Sequence, residues 1–159
     1  MIIIVIGVSG SGKTTVGEKL AEILQYEFKD ADDFHPLENI EKMSQKIPLN
    51  DRDRQPWLQT LQKEIQQWLA QNQNVVLACS ALKQNYRKQL LINSEQMRLV
   101  YLKGSFELIE NRLKQRSDHY MKADLLQSQF KDLEEPSTAI KIEISQPIEK
   151  IVEKIQAQL

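Results

Sequence analysis

Residues 7–14 read Gly7-Val8-Ser9-Gly10-Ser11-Gly12-Lys13-Thr14 and fit the pattern G-x-x-x-x-G-K-[ST] without a mismatch. Just before them, Ile2-Ile3-Ile4-Val5-Ile6 is β-branched throughout, as a strand buried on both faces should be. Just after them, Val16, Leu20, Ile23 and Leu24 recur at helical spacing between Lys13 and Gln25. A chain with only five glycines places three of them in this one turn. Glycines let successive N–H groups turn inward around phosphate oxygens, and the helix that follows adds the positive end of its dipole. Lys13 supplies a point charge for the β- and γ-phosphates, and the Thr14 hydroxyl is a ligand for Mg²⁺. The alternative is a glycine-rich turn with no ligand, and the full pattern in its strand-to-helix context argues against it. Gly7, Val8, Ser9, Gly10, Ser11, Gly12, Lys13, Thr14 and Thr15 are therefore the predicted nucleotide-binding residues, for a nucleoside triphosphate.

Outward from this turn the chain alternates short apolar runs with helical periodicity. Strands are expected near Glu27 to Asp30, Asn74 to Cys79, Arg98 to Leu102 and Ile140 to Ile144. Helices are expected at 37–45, along a face carrying Trp57, Leu58, Leu61, Ile65, Trp68 and Leu69, at 83–91, from Phe106 onward, at 124–133, and after Pro147. Such alternation implies an α/β fold with a parallel sheet covered by helices on both faces, whose ligands bind beyond the carboxyl ends of the strands. The length of 159 residues suits a single domain.

Composition excludes several classes. Hydrophobic residues make up 41% and charged residues 27%, which is globular rather than disordered. With 21 Lys and Arg against 22 Asp and Glu, the net charge is −1, so nucleic acid and anionic membrane are not expected partners. The single cysteine, Cys79, offers neither an internal disulfide nor a multi-thiolate metal site. No run approaches the roughly 20 apolar residues of a membrane span, and Met1 to Val8 lacks a basic leader. The cytoplasm is the expected location.

The other motifs separate a kinase from a switch or a motor. No Asn-Lys-x-Asp base-recognition motif is present, and the third strand ends Ala78-Cys79-Ser80-Ala81 without a terminal aspartate. Instead, Asp30, Asp32 and Asp33 follow the second strand, and an arginine-rich segment follows the fourth. An aspartate beside an acceptor hydroxyl can orient it and take its proton, and arginines on a closing lid neutralise the transferring phosphoryl group. Asp32 is the expected base; Asp30 shares its side of an extended segment, and Asp33 reads as a helix cap. Arg116 and Arg112 are the expected phosphate-side arginines, in a lid of about 112–124, although such charge runs also occur as solvated helix ends. Arg54 is a candidate for an anionic substrate group, with Lys83 and Arg87 flanking the end of the third strand and His35 either a substrate contact or a packing residue. Asp51 or Asp53 is expected to cap the long helix, with Pro56 in its first turn and Trp57 in the core.

Beyond the phosphate loop, the blocks Asp30-Ala31-Asp32-Asp33-Phe34-His35-Pro36, Asn39 with Lys42-Met43, and Pro48-Leu49-Asn50-Asp51-Arg52-Asp53-Arg54 with Pro56-Trp57-Leu58 resemble the small bacterial-type gluconokinases. So do Cys79-Ser80-Ala81-Leu82-Lys83 with Tyr86-Arg87, Tyr101-Leu102-Lys103-Gly104, Arg112, Arg116, His119, and Leu125 to Phe130 with Leu133-Glu134 and Pro136. The resemblance spans nearly the whole chain. It implies a nucleoside-monophosphate-kinase-like P-loop fold with a five-stranded parallel sheet in the order 2-3-1-4-5, and commonly a homodimer. It also implies ATP-dependent phosphorylation of D-gluconate on its 6-hydroxyl. On that reading Lys13, Asp32 and Arg116 carry catalysis, Thr14 and Asp30 serve Mg²⁺, and Asp32, His35, Arg54, Lys83 and Arg87 meet the acceptor. A related kinase for another acceptor such as shikimate, or a nucleotide-binding switch, is the competing reading. One departure is Lys46, where the family usually has glycine, and it leaves open the backbone of the turn before Pro48-Leu49.

Overall fold

The computed structural model describes residues 1–115 and 123–159. Its centre is β1 (Ile2–Ile6), buried at all five positions. β1 pairs in parallel with β3 (Val75–Ala78) on one side and β4 (Met97–Lys103) on the other. β2 (Glu27–Asp30) adds beyond β3 and β5 (Ile140–Glu143) beyond β4, giving the expected parallel order β2-β3-β1-β4-β5.

The two faces of the sheet follow from the two-residue repeat of a strand. Ile3, Val5, Val76, Val100 and Leu102 share a core with residues of α1 (Lys13–Leu24) and α7 (Ile148–Gln158). Ile2, Ile4, Ile6, Val75 and Leu77 pack with α3 (Asp51–Ala70) and α4 (Gln84–Leu90) on the opposite face. With helices on both sides, β1 has no solvent face, which is why its sequence shows no polar alternation. Each buried aliphatic side chain contributes about 2 kcal/mol to that arrangement. Among the described residues no helix is long and apolar enough to cross a membrane.

Local chemistry sets where the connections turn. A 3-10 turn (Ala31–Phe34) and α2 (Leu37–Ser44) lead from β2 towards α3; α5 (Phe106–Lys114) and α6 (Ala123–Asp132) lie between β4 and β5. Three expectations are corrected. Asn50 rather than an aspartate caps α3; it accepts from the Asp53 N–H, while the Asp53 carboxylate accepts from the Asn50 N–H, a capping box. Because the helix therefore begins at Asp51, Pro56 falls in its second turn and not its first. Asp30, not Asp33, caps the turn after β2 by accepting from the Asp32 N–H at 2.9 Å, so Asp32 stands in a 3-10 turn rather than an extended segment.

The turn at Lys46 keeps the backbone a glycine would take. Lys46 has φ +59°, with its N–H donating to the Met43 carbonyl and the Ile47 N–H reaching back to Lys42. This pair of bonds closes the end of α2 as a Schellman motif, whose left-handed residue is usually glycine.

Candidate active site

The parallel register brings the ends of β1, β2 and β3 level, with Val5 and Asp30 both opposite Ala78. The phosphate loop, Asp30, Asp32 and Ser80 consequently meet at one edge and line a cavity of about 360 Å³. Ser9, Gly10, Gly12, Lys13, Thr14 and Thr15 form one end of it; Lys46, Leu49, Arg54 and Trp57 lie on the α2–α3 side.

Gly10 and Gly12 hold φ +82° and +97°, values that L side chains avoid, and so wrap the loop onto the start of α1. No side chain caps α1 at Gly12. The first N–H groups of a helix lack intrahelical partners, and here they are left for an anion. Lys13 Nζ donates to the Val8 carbonyl across the loop at 3.1 Å, and burial lowers its ammonium below the ordinary lysine value, an effect opposed chiefly by Asp32. Gln129 of α6 accepts from the Ser9 N–H at 2.6 Å, which ties α6 to the loop. Ser11 Oγ is buried without a hydrogen-bond partner among the described residues. On the other side of the loop, Ser11, Gly12, Thr15, Arg112 and Gln146 line a second cavity of about 420 Å³. Arg112 donates there to the Ile144 carbonyl.

Asp32 stands at the junction of the phosphate end and the α2–α3 end. Desolvation raises its carboxyl above the ordinary range, with Lys13 opposing and Asp33 adding to the rise. Asp30 is raised too, again mainly by desolvation. His35 stacks on Trp57 with ring centroids 4.4 Å apart, and Trp57 donates to the Ala31 carbonyl, so the indole fixes both the turn and the imidazole. Burial, together with the nearby Arg54 charge, pushes the His35 pKa down to about 4, so the ring is neutral at pH 7. Its tautomer follows from Asn39. That amide nitrogen is 2.8 Å from the Asp53 carbonyl and 3.1 Å from His35 Nδ1, so it donates to both. The proton then sits on Nε2, which lies 3.8 Å from Asp32 Oδ1.

Arg54 lines the cavity while donating to the Tyr86 hydroxyl at 2.9 Å and to Asp132 at 3.3 Å. Two other predicted acceptor contacts stand away from the cavity. Lys83 donates to Asp51, which also accepts from Tyr86. Arg87 is buried, and its guanidinium is spent on the carbonyls of Ala81, Leu82 and Glu134. An arginine whose donors go to main-chain oxygens is a strut between α4 and the segment after α6, away from the cavity where an acceptor contact was expected. Cys79 is buried, and desolvation pushes its thiol up to about 12, which leaves it unreactive. Arg116 and most of the expected lid, including His119, lie outside the described residues.

Asn39, Lys46, Ser128 and Gln129 belong to the site or its support, and residue chemistry alone did not single them out for it. An amide or a hydroxyl carries no distinctive motif; Asn39, Ser128 and Gln129 entered only as parts of the blocks that carry the family resemblance.

A phosphate loop opening on a cavity that also holds an aspartate, an arginine and a neutral histidine defines a small-molecule kinase of the P-loop class. The shikimate kinase family model matches residues 9–159. A Xenopus tropicalis protein described as a probable gluconokinase is 46% identical over all of this chain and 93% of its own. The thermoresistant gluconokinase of Escherichia coli strain K12 is 42% identical over 95% of this chain and 89% of its own. A gluconokinase structure from Sinorhizobium meliloti 1021 superposes with a TM-score of 0.89 at 42% identity, covering 98% of this chain and 89% of that one. Shikimate kinase from Aquifex aeolicus is 20% identical with a TM-score of 0.60, a likeness of fold alone. The chain belongs to the gluconokinase family, within the broader fold group that shikimate kinases share.

Proposed function

We propose that this chain transfers the γ-phosphoryl group of ATP to the 6-hydroxyl of D-gluconate, giving 6-phosphogluconate and ADP. The observation that carries this reading is the single cavity joining the phosphate loop to Asp32 and, past it, to Arg54 and His35. Family membership supports the identity of the acceptor.

The loop amides and Lys13 hold the β- and γ-phosphates, and Arg112 with Gln146 borders the second cavity, where the rest of the nucleotide extends. Asp32 accepts the proton of the acceptor hydroxyl as its oxygen bonds to the γ-phosphorus. The bond from that phosphorus to the β–γ bridging oxygen breaks, and ADP leaves. A carboxyl raised by desolvation is a better base for this step than an ordinary aspartate. Neutral His35, with its proton on Nε2, donates towards Asp32 or an acceptor oxygen without adding charge. Arg54 holds the acid end of the acceptor, presented by Tyr86 and Asp132. Arg116, outside the described residues, is the arginine assigned to neutralise the charge of the transferring group.

Thr14 and Asp30 share the cavity as hard oxygen donors, and the described residues contain no cluster of three or more acidic, His or Cys ligands. That set suits Mg²⁺, which keeps its waters and binds through one or two protein oxygens plus phosphate. The ion, when bound, neutralises phosphate charge. A cytoplasmic homodimer is the setting the family resemblance implies.

The test is ADP release across a panel of sugar acids and shikimate. Gluconate should stimulate it well above the rate with ATP alone. Stimulation by shikimate instead would reassign the acceptor, and ATP binding without stimulation by any acceptor would remove the kinase reading.

A further inference from the structure

Lys46 combines three observations that the mechanism above does not use. Its backbone is held at φ +59°, a conformation costly for any residue with a Cβ, at the turn that ends α2. It lines the main cavity on the side of Leu49 and Arg54. Among the described residues its ammonium has no ion pair or hydrogen bond, in contrast to the other cations near that end. Arg54 is engaged by Tyr86 and Asp132, Lys83 by Asp51, and Arg87 by three carbonyls.

Glycine would hold this turn without strain. A strained residue persists where the surroundings over-determine it, and such residues concentrate at ligand sites. The two bonds that close α2 impose the left-handed backbone whatever the side chain, so lysine adds strain and, in exchange, a positive charge at the cavity rim. An acceptor with one carboxylate at the end of a polyhydroxy chain requires a cation some distance from the phosphoryl acceptor oxygen.

We propose that Lys46 is an acceptor-binding residue that confers preference for the carboxylate form of the substrate, supplementing Arg54. The inference rests on the gluconate reading above. It predicts that charge at position 46 governs acceptor affinity while leaving the chemical step alone, because the residue lies at the acceptor end and not beside the transferring phosphoryl.

The experiment compares the parent enzyme with Lys46→Gly, Lys46→Gln and Lys46→Arg. The assay varies D-gluconate, then its uncharged alditol analogue, then ATP. Lys46→Gly and Lys46→Gln should raise KM for gluconate about tenfold, with kcat and KM for ATP within about twofold, and Lys46→Arg should restore most of the affinity. KM for gluconate should rise more steeply with salt in the parent than in Lys46→Gln, and any activity on the alditol should be indifferent to the substitution. Lys46→Gly should melt no lower than the parent, which separates a lost contact from a damaged fold. A KM for gluconate unchanged in Lys46→Gly, with the parent active, would overturn the role of Lys46 and leave the function standing. A parent enzyme inactive on every sugar acid would overturn both.

Discussion

Asp32 and His35 are near neighbours whose environments pull their titrations in opposite directions. Desolvation raises the Asp32 carboxyl, so a base that must be ionised loses competence as pH falls through a value above the usual aspartate range. We expect the acid limb of the kcat/KM profile to reflect this group. Asp32→Asn should lower kcat by about 10²–10⁴-fold, with ATP affinity retained in a titration of the nucleotide. His35 carries a stability signature instead. Its folded pKa, about 4, lies below the unfolded value of 6.5, so the unfolded chain binds more protons between those limits. Stability from the buried neutral ring is complete above pH 6.5 and is lost as pH falls towards 4. Urea midpoints measured across that window should fall in the parent and stay flatter in His35→Gln.

The segments around the cavity are held by side chains that never enter it. Arg87 ties α4 and the loop after β3 to Glu134, and its removal strands three carbonyl groups in a buried place. Arg87→Leu should cost about 2–4 kcal/mol in urea unfolding, while KM for gluconate in the folded fraction changes little. A large rise in that KM with stability unaltered would return Arg87 to the substrate site. The start of α3 depends on Asn50, whose side chain completes the capping box with Asp53; Lys42 also donates to that carboxylate at 2.8 Å. Asn50→Ala should lower stability by about 1 kcal/mol, read from the shift in the urea midpoint at constant slope. Since α3 carries Arg54 three residues inside its first turn, the same change should raise KM for the acceptor more than KM for ATP.

For the molecule as a whole, the cavity joins elements far apart in the chain, so its ligands should clamp the fold together. Saturation at 100 times Kd adds about 2.7 kcal/mol of stability. ATP with Mg²⁺ should therefore raise the melting temperature by several degrees, and chelation with EDTA should remove most of the increase that depends on the ion. Gluconate added to the nucleotide complex should raise it again. An identical melting curve with and without nucleotide would contradict the reading of the phosphate loop.

The strands and helices, the phosphate loop and the place of the acidic cluster after β2 were legible in the residues because each rests on local chemistry, whereas the strand order, a pairing of distant segments, came only with the family resemblance. A β-branched run, a glycine pattern and a proline before a helix are decided within a few positions of the chain. Capping of α3 by Asn50 was missed because Asn50, Asp51 and Asp53 can all cap, and only the backbone path selects one. The division of the cations was also beyond sequence. Arg54, Lys83 and Arg87 look alike as neighbours of an active site, yet one lines the cavity, one pairs with Asp51 and one is saturated by carbonyls. Which charge is free to meet a ligand depends on partners supplied by residues up to 78 positions away, and packing alone determines those encounters.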